Sequence, residues 1–351
     1  MNFDGTGTTK ITPNYPAAGT ISSWSLSPDE SYIAARGDFY TDEIFELVTL
    51  PSAGGALTRV NAALAAAFDV LGFKISPDSA WICYWGDFVT DALYDTRVFD
   101  KGLATVYPVT SAVSNIQGAA SCEFTPDSAF VISAGDWVAD GKTMLKSFKL
   151  SDQSLVTLNP GLPAASTTSQ YAYVNNVTAK RVIALSETSA DVVEIYSMNY
   201  DGTDLRKISQ NPYAGGKVNA NQGVAMRVLD DNDGTIVYSG LIDRLGRWDL
   251  FAVKWDGSSP RKLVTLSSFA DIYDFAVTEG SSTVLFRADN DKDGVIGLYS
   301  IGIDGTALQN RTPGLAAGTM VMDGYQLTTS HVLFRSDAYR SQLMELFADA
   351  L

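Results

Sequence analysis

Two three-residue landmarks recur along this chain at one shared spacing of 49 residues, and that recurrence limits the fold more than any other feature. Ser27-Pro28-Asp29, Ser76-Pro77-Asp78 and Thr125-Pro126-Asp127 make one series. Gly37-Asp38-Phe39, Gly86-Asp87-Phe88 and Gly135-Asp136-Trp137 make the other. A third landmark runs further: Asp4-Gly5-Thr6, Gly54-Gly55, Asp100-Lys101-Gly102, Ser151-Asp152, Asp201-Gly202-Thr203, Asp256-Gly257 and Asp304-Gly305-Thr306, 46 to 55 residues apart. Seven marks in 351 residues imply seven units of about 50.

Each unit reads as four short strands. In the second, a strand within Ala65–Ile75 meets the Ser76-Pro77-Asp78-Ser79 turn, and Trp81-Ile82-Cys83-Tyr84-Trp85 is dense in β-formers. A Gly- and Asp-containing loop leads to Leu93–Phe99, and Asp100-Lys101-Gly102 turns the chain into Ala104–Val109. No window holds a sustained 3.6-residue apolar period, so helix content should be minimal. A repeated four-stranded unit of this size predicts an all-β, seven-bladed β-propeller in a single domain, 1–351. The blades fall at about 14–63, 64–110, 111–160, 161–210, 211–265, 266–313, and 314–351 completed by 1–13. Closure by both termini follows from the ends. Glu345-Leu346-Phe347-Ala348 matches Asp249-Leu250-Phe251-Ala252, a third strand, and the missing fourth stands at Gly5–Ile11. Met1 falls inside a repeat, so the chain reads as starting downstream of a removed leader or another domain.

The repeat resembles the TolB-type, WD40-like (PD40) propeller repeat: Ser-Pro-Asp at a hairpin, Leu-Tyr or Leu-Phe after a loop, then Asp-Gly. Its clearest copies are Ser239–Arg244 through Trp248–Gly257, and Phe286–Asp289 through Leu298–Gly305. The resemblance covers essentially the whole chain. It implies the fold, an extracytoplasmic setting (periplasmic, extracellular or cell-surface) and a role in binding protein or peptide. Unlike TolB the chain has no N-terminal α/β domain, and unlike the related peptidases it has no hydrolase domain, so the partner does not carry over.

Charge and composition narrow the function classes. Forty acids against 25 bases give a net charge of −15, which repels a phosphate backbone and excludes nucleic acid as a partner. No stretch approaches the roughly 20 apolar residues that a spanning helix needs, which argues against membrane insertion. Cys83 and Cys122 fit no metal spacing and read as buried apolar residues, with one disulfide as the alternative. The sole histidine, His331, reads as an ordinary strand-end residue, and no G-x-S-x-G elbow occurs. An acid pair would be needed for a glycosidase, and sequence does not show which two of 40 acids converge.

The loops between second and third strands are acidic. Asp38 and Asp42, Asp87 and Asp91, Asp136 and Asp140, and Asp289 and Asp293 pair at i and i+4, while Glu187, Asp243 and Asp337 hold the corresponding loops elsewhere. Two readings stand side by side: an acidic rim that attracts a basic peptide, or an Asp in each loop that caps its own backbone. Of the six tryptophans, Trp137 is expected to be the exposed binding anchor and the others to pack between sheets. The expected function is a non-catalytic protein- or peptide-binding scaffold. The alternatives are a carboxylate-based hydrolase or an accessory propeller of a larger secreted protein or assembly. Asp289-Asn290-Asp291-Lys292-Asp293-Gly294 has the D-x-D-x-D-G spacing of a Ca²⁺ loop, with Asp289, Asp291 and Asp293 as candidate ligands and an ordinary acidic turn as the alternative.

Overall fold

A computed structural model describes residues 7–13, 19–110, 118–136, 143–158, 167–175, 179–189, 192–210, 216–218, 226–229, 234–243, 246–277, 283–327, 330–337 and 344–350. Among them there are strands, turns and bends and no helix. They fall into two compact units, Met1–Pro160 with Tyr200–Gly202, and Gly161–Asn199 with Thr203–Leu351.

The first unit holds three antiparallel meanders in sequence order. These are β1 (Ile21–Leu26), β2 (Tyr32–Gly37), β3 (Glu46–Pro51) and β4 (Thr58–Arg59); then β5 (Val70–Ile75), β6 (Trp81–Asp87), β7 (Tyr94–Asp100) and β8 (Thr105–Pro108); then β9 (Gly118–Phe124), β10 (Phe130–Asp136), β11 (Thr143–Lys149) and β12 (Leu155–Thr157). A single parallel bridge, Tyr94 to Gly118, joins the second and third into one eight-stranded sheet. The second unit continues with β13 (Thr167–Asn175), β14 (Lys180–Ser189), β15 (Val192–Asn199) and β16 (Arg206–Lys207), then β17 (Met226–Leu229), β18 (Thr235–Gly240), β19 (Asp249–Lys254) and β20 (Arg261–Lys262). After these come β21 (Ile272–Val277), β22 (Thr283–Ala288), β23 (Gly297–Gly302) and β24 (Gln309–Asn310), and last the three strands β25 (Gln326–Leu327), β26 (His331–Ser336) and β27 (Glu345–Ala350).

The 49-residue period has a local physical origin. Ser27, Ser76 and Thr125 each donate a hydroxyl to the Asp two residues on, at 2.6, 2.5 and 2.7 Å. The same hydroxyls accept the amides of Tyr32, Trp81 and Phe130, which closes the hairpins. Proline fixes φ at the second position, and Glu30, Ser79 and Ser128 take the left-handed turn at 59°, 64° and 55°. Ser79 and Ser128 also reach back one repeat, accepting the amides of Asp29 and Asp78 at 3.0 Å. Each turn is thus stitched to its successor, so the spacing between turns is fixed by contact.

Within each unit the meanders bury their faces on one another. Tyr32, Ala34 and Leu47 meet Val70, Ile82 and Tyr84 between the first and second. In the second unit Leu229, Val237 and Leu250 meet Phe275, Val284 and Phe286 between β17–β20 and β21–β24. Burying one such side chain contributes about 1.5–3 kcal/mol, and no single meander could hide both of its faces alone.

Two expectations are modified. Cys83 on β6 and Cys122 on β9 are buried as expected, but they are bonded to each other, with Cα atoms 6.3 Å apart. The pairing depends on the packing of the second meander against the third, which the spacing of the cysteines does not encode. The terminal seam also differs: β25–β27 remains three-stranded, and Gly7–Pro13 forms no strand. Ile11 instead offers its carbonyl to the Gly55 amide in the β3–β4 turn, at 3.4 Å. Residues 1–6 lie outside the described residues.

Candidate functional site

The acidic loops divide into two populations. Asp38, Asp87, Asp289 and Asp337 are all buried, at 4–5 % exposure, and each accepts a backbone amide from the residue leading into its own meander. The donors are Thr20, Asp69, Asp271 and Met320, seventeen or eighteen residues upstream, the last three at 2.7, 2.8 and 2.6 Å. The Thr20 amide holds the Asp38 carboxyl below its ordinary range, against a smaller opposing effect of burial. Asp87 and Asp289 spend their second oxygens on the amides of Ala92 and Gly294, both at 3.2 Å. These four are backbone staples, not rim groups, and they tie across the sheet rather than capping their own loop alone. Asp136 is half-buried, 3.3 Å from the Thr143 hydroxyl, and Glu187 is half-buried on β14. Asp42, Asp91, Asp243 and Asp293 are exposed, and Asp243 pairs with Lys262 at 2.7 Å. Trp137 and Asp140 lie outside the described residues.

A second acidic series went unread in the sequence. A residue at or near the start of the third strand is a buried acid in several meanders, and it meets a base thirteen residues on, in the fourth strand. Glu46 pairs with Arg59 at 2.7 Å, Asp249 with Lys262 at 2.7 Å, and Glu194 with Lys207. Burial pushes the Glu46 carboxyl up while Arg59 pulls it down. Tyr196, two residues after Glu194, donates its hydroxyl to that carboxylate at 2.8 Å. Aligning the repeats on their Asp-Gly turns would have exposed this spacing.

A recess of the first unit lies between β1 and β5, which end their sheets and have no strand partner on their outer edges among the described residues. All six residues of β1 are exposed, and Trp24 is 67 % exposed, although tryptophans on strands were expected to pack between sheets. Trp81, Trp85, Trp248 and Trp255 do pack that way. Trp24, Leu26, Phe73, Ile75 and Trp85 line a cleft of about 440 Å³ with Ser23, Ser25 and the single charged group Lys74. A register shift between Val70 and Gly72 sets Gly72 under Trp85, where a Cβ would lie 2.3 Å from the indole ring. Only glycine lets the ring lie flat on the strand there. Arg36 braces the cleft from behind, donating to the Val70 carbonyl and to Ser22 Oγ. Aromatic faces, two strands at sheet edges and one cation suit an extended chain with a large apolar side chain.

The D-x-D-x-D-G loop does not gather its carboxylates. Asp289 serves backbone amides, Asp291 accepts from Asn310 Nδ2 at 2.5 Å, and Asp293 is exposed. Among the described residues no three His, Cys, Asp or Glu side chains converge to hold a metal ion. His331 is an exposed strand-end residue, its Nδ1 2.8 Å from Ser330 Oγ. No described helix is long and apolar enough to cross a membrane.

No protein-family model matches the chain, and no curated protein matches it. Among solved structures, dipeptidyl peptidase 4 of Porphyromonas gingivalis superposes with a TM-score of 0.62 at 12 % identity, over 90 % of this chain and 49 % of that one. The chain therefore spans about half the length of that peptidase. An oligogalacturonate lyase of Vibrio parahaemolyticus matches over 92 % of this chain and 87 % of its own, at 13 % identity and TM-score 0.45. The β-propeller domain of the trilobed protease of Pyrococcus furiosus matches over 94 % and 95 %, at 14 % identity and TM-score 0.37. Taken with the antiparallel meanders described above, the likeness to the peptidase makes the fold one of the β-propeller kind.

Proposed function

We propose that this chain is a seven-bladed propeller of the TolB-like kind, and that it works as a scaffold for an extended peptide or protein segment. The observation that carries the reading is the cleft between β1 and β5. There a 67 % exposed tryptophan, which would ordinarily be buried, stands over two unpaired strand edges. A bound segment would add a strand to one edge and seat an aromatic or large aliphatic side chain between Trp24 and Trp85, with Lys74 near a carbonyl or carboxylate. The exposed Asp42, Asp91, Asp243 and Asp293, within a net charge of −15, favour basic flanks on the partner. A periplasmic or cell-surface setting is supported by the Cys83–Cys122 disulfide, since such bonds persist in oxidising compartments. Selection from a random peptide library, followed by calorimetry on the selected peptides, tests the reading. Trp24→Ala and Trp85→Ala should each weaken binding by about tenfold or more. Peptides that bind both variants as tightly as the parent protein would end it.

A second reading has its own support. The chain covers 90 % of its own length on a peptidase twice as long, which favours an accessory propeller within a larger protein. The mass of the native polypeptide, measured on material purified from its source, separates the two.

A further inference from the structure

The third-strand acid and its base are absent from one meander of the second unit, and a cavity takes their place. Asp249 corresponds to Gly297, and Lys262 to Asn310, each pair thirteen residues apart. Asp243, six residues before Asp249, holds Lys262 at 2.7 Å; Asp291 stands six before Gly297 and holds Asn310 at 2.5 Å. The loop contact therefore persists while the buried carboxylate and the ammonium are both gone. What remains is a recess of about 230 Å³ lined by Asp291, Lys292, Gly297, Tyr299, Asn310 and Thr312, walled by Val295 and Leu315.

A hydroxyl donor of the kind that serves Glu194 stands at the recess. Tyr299 follows Gly297 by two residues, as Tyr196 follows Glu194, and Tyr196 gives its hydroxyl to the Glu194 carboxylate. A Cβ at Gly297 would stand 3.3 Å from the Tyr299 hydroxyl and 3.2 Å from Thr312 Oγ1, so the floor of the recess is polar. Asp291 and Lys292 are exposed and bring one charge of each sign to the mouth.

We propose that this recess binds a small zwitterion, of the free α-amino acid class. Its ammonium meets Asp291 beside the Asn310 amide, and its carboxylate takes the place of Asp249, facing Tyr299 and Lys292. A free amino acid carries its two charges as close together as the ion pair it replaces, and it fits a space of this size.

Backbone amide shifts recorded by NMR while glycine, L-alanine, methylammonium or acetate is added test the proposal. The expected result is saturable shifts in β23 and β24 with the two amino acids, at affinities at least about tenfold above those of methylammonium and acetate. Restoring the internal pair with Gly297→Asp and Asn310→Lys together should abolish them. Asp291→Asn and Tyr299→Phe, which alter single groups at the recess, should each weaken them even if the double variant misfolds. No saturable shift in the tens-of-millimolar range would overturn the proposal. So would methylammonium binding as tightly as glycine, which would mark a site for cations alone.

Discussion

Replacing Asp87 by alanine asks directly whether the recurring loop acids are structure or recognition. The carboxylate is 5 % exposed and accepts the Asp69 amide at 2.7 Å and the Ala92 amide at 3.2 Å. A hydrogen bond to a charged group is worth about 1.5–3 kcal/mol net. The longer contact, at the loop, belongs at the low end of that range, so Asp87→Ala should cost about 3–4 kcal/mol in all. Asp87→Asn keeps an acceptor for Asp69 but turns an NH₂ group toward Ala92, and should cost about half as much. Asp91, four residues on and exposed, should tolerate Asn within about 0.5 kcal/mol. Because the chain holds two compact units, one global unfolding energy is not well defined, and native-state hydrogen exchange at the Asp69 and Ala92 amides is the better assay. Exchange at Asp69 should accelerate by about a hundredfold in Asp87→Ala, the equivalent of about 3 kcal/mol. Unchanged protection there, or an Asp91→Asn variant equally damaged, would refute the staple.

The Cys83→Ala/Cys122→Ala double variant removes a bridge across 39 residues, for which chain entropy gives a loss of about 4 kcal/mol, and a thermal melt equal to that of the parent would contradict it. Gly72→Ala drives a Cβ into the Trp85 ring and should cost about 1–3 kcal/mol, with a red shift in tryptophan fluorescence as Trp85 is displaced. An unshifted spectrum would show that the ring does not rest on the strand. Acid should weaken the fold through carboxyls held low in the native state: Asp29, at about 2 chiefly by the Ser27 hydroxyl, and Asp38, lowered chiefly by the Thr20 amide. Because these groups bind protons less readily folded than unfolded, their contribution is whole above about pH 4 and fades toward about pH 2. Denaturation midpoints across that range should fall less steeply in Asp29→Asn, and an identical slope would count against the assignment.

The turns were legible because their chemistry is local. Proline, a hydroxyl and an Asp within three residues write the hairpin at Ser27, Ser76 and Thr125, and the structure repeats it bond for bond. The strands between them were legible from β-formers such as Trp81–Trp85. The role of Asp38, Asp87, Asp289 and Asp337 was half legible: that each could accept backbone amides was one of two readings, but those amides include ones some eighteen residues upstream, which no side chain marks. Glu46–Arg59 and Asp249–Lys262 did leave a signal, at a spacing that only an alignment of repeats reveals. The exposure of Trp24 could not be read at all. The residues Ile21–Leu26 look like any other strand, and their exposure depends on what packs beside β1.

The bond between β6 and β9 also makes the first unit a mechanically partitioned object. Pulled from its ends, an oxidised chain bears load through the sulfur bridge, and the segment between Cys83 and Cys122, a separation of 39 residues, never enters the force path. Extended fully, that segment would span about 140 Å. A reductant reaching the bridge would therefore release a slack of that length from the middle of the molecule, lowering tension across β1–β4 and β12 without any change at either terminus.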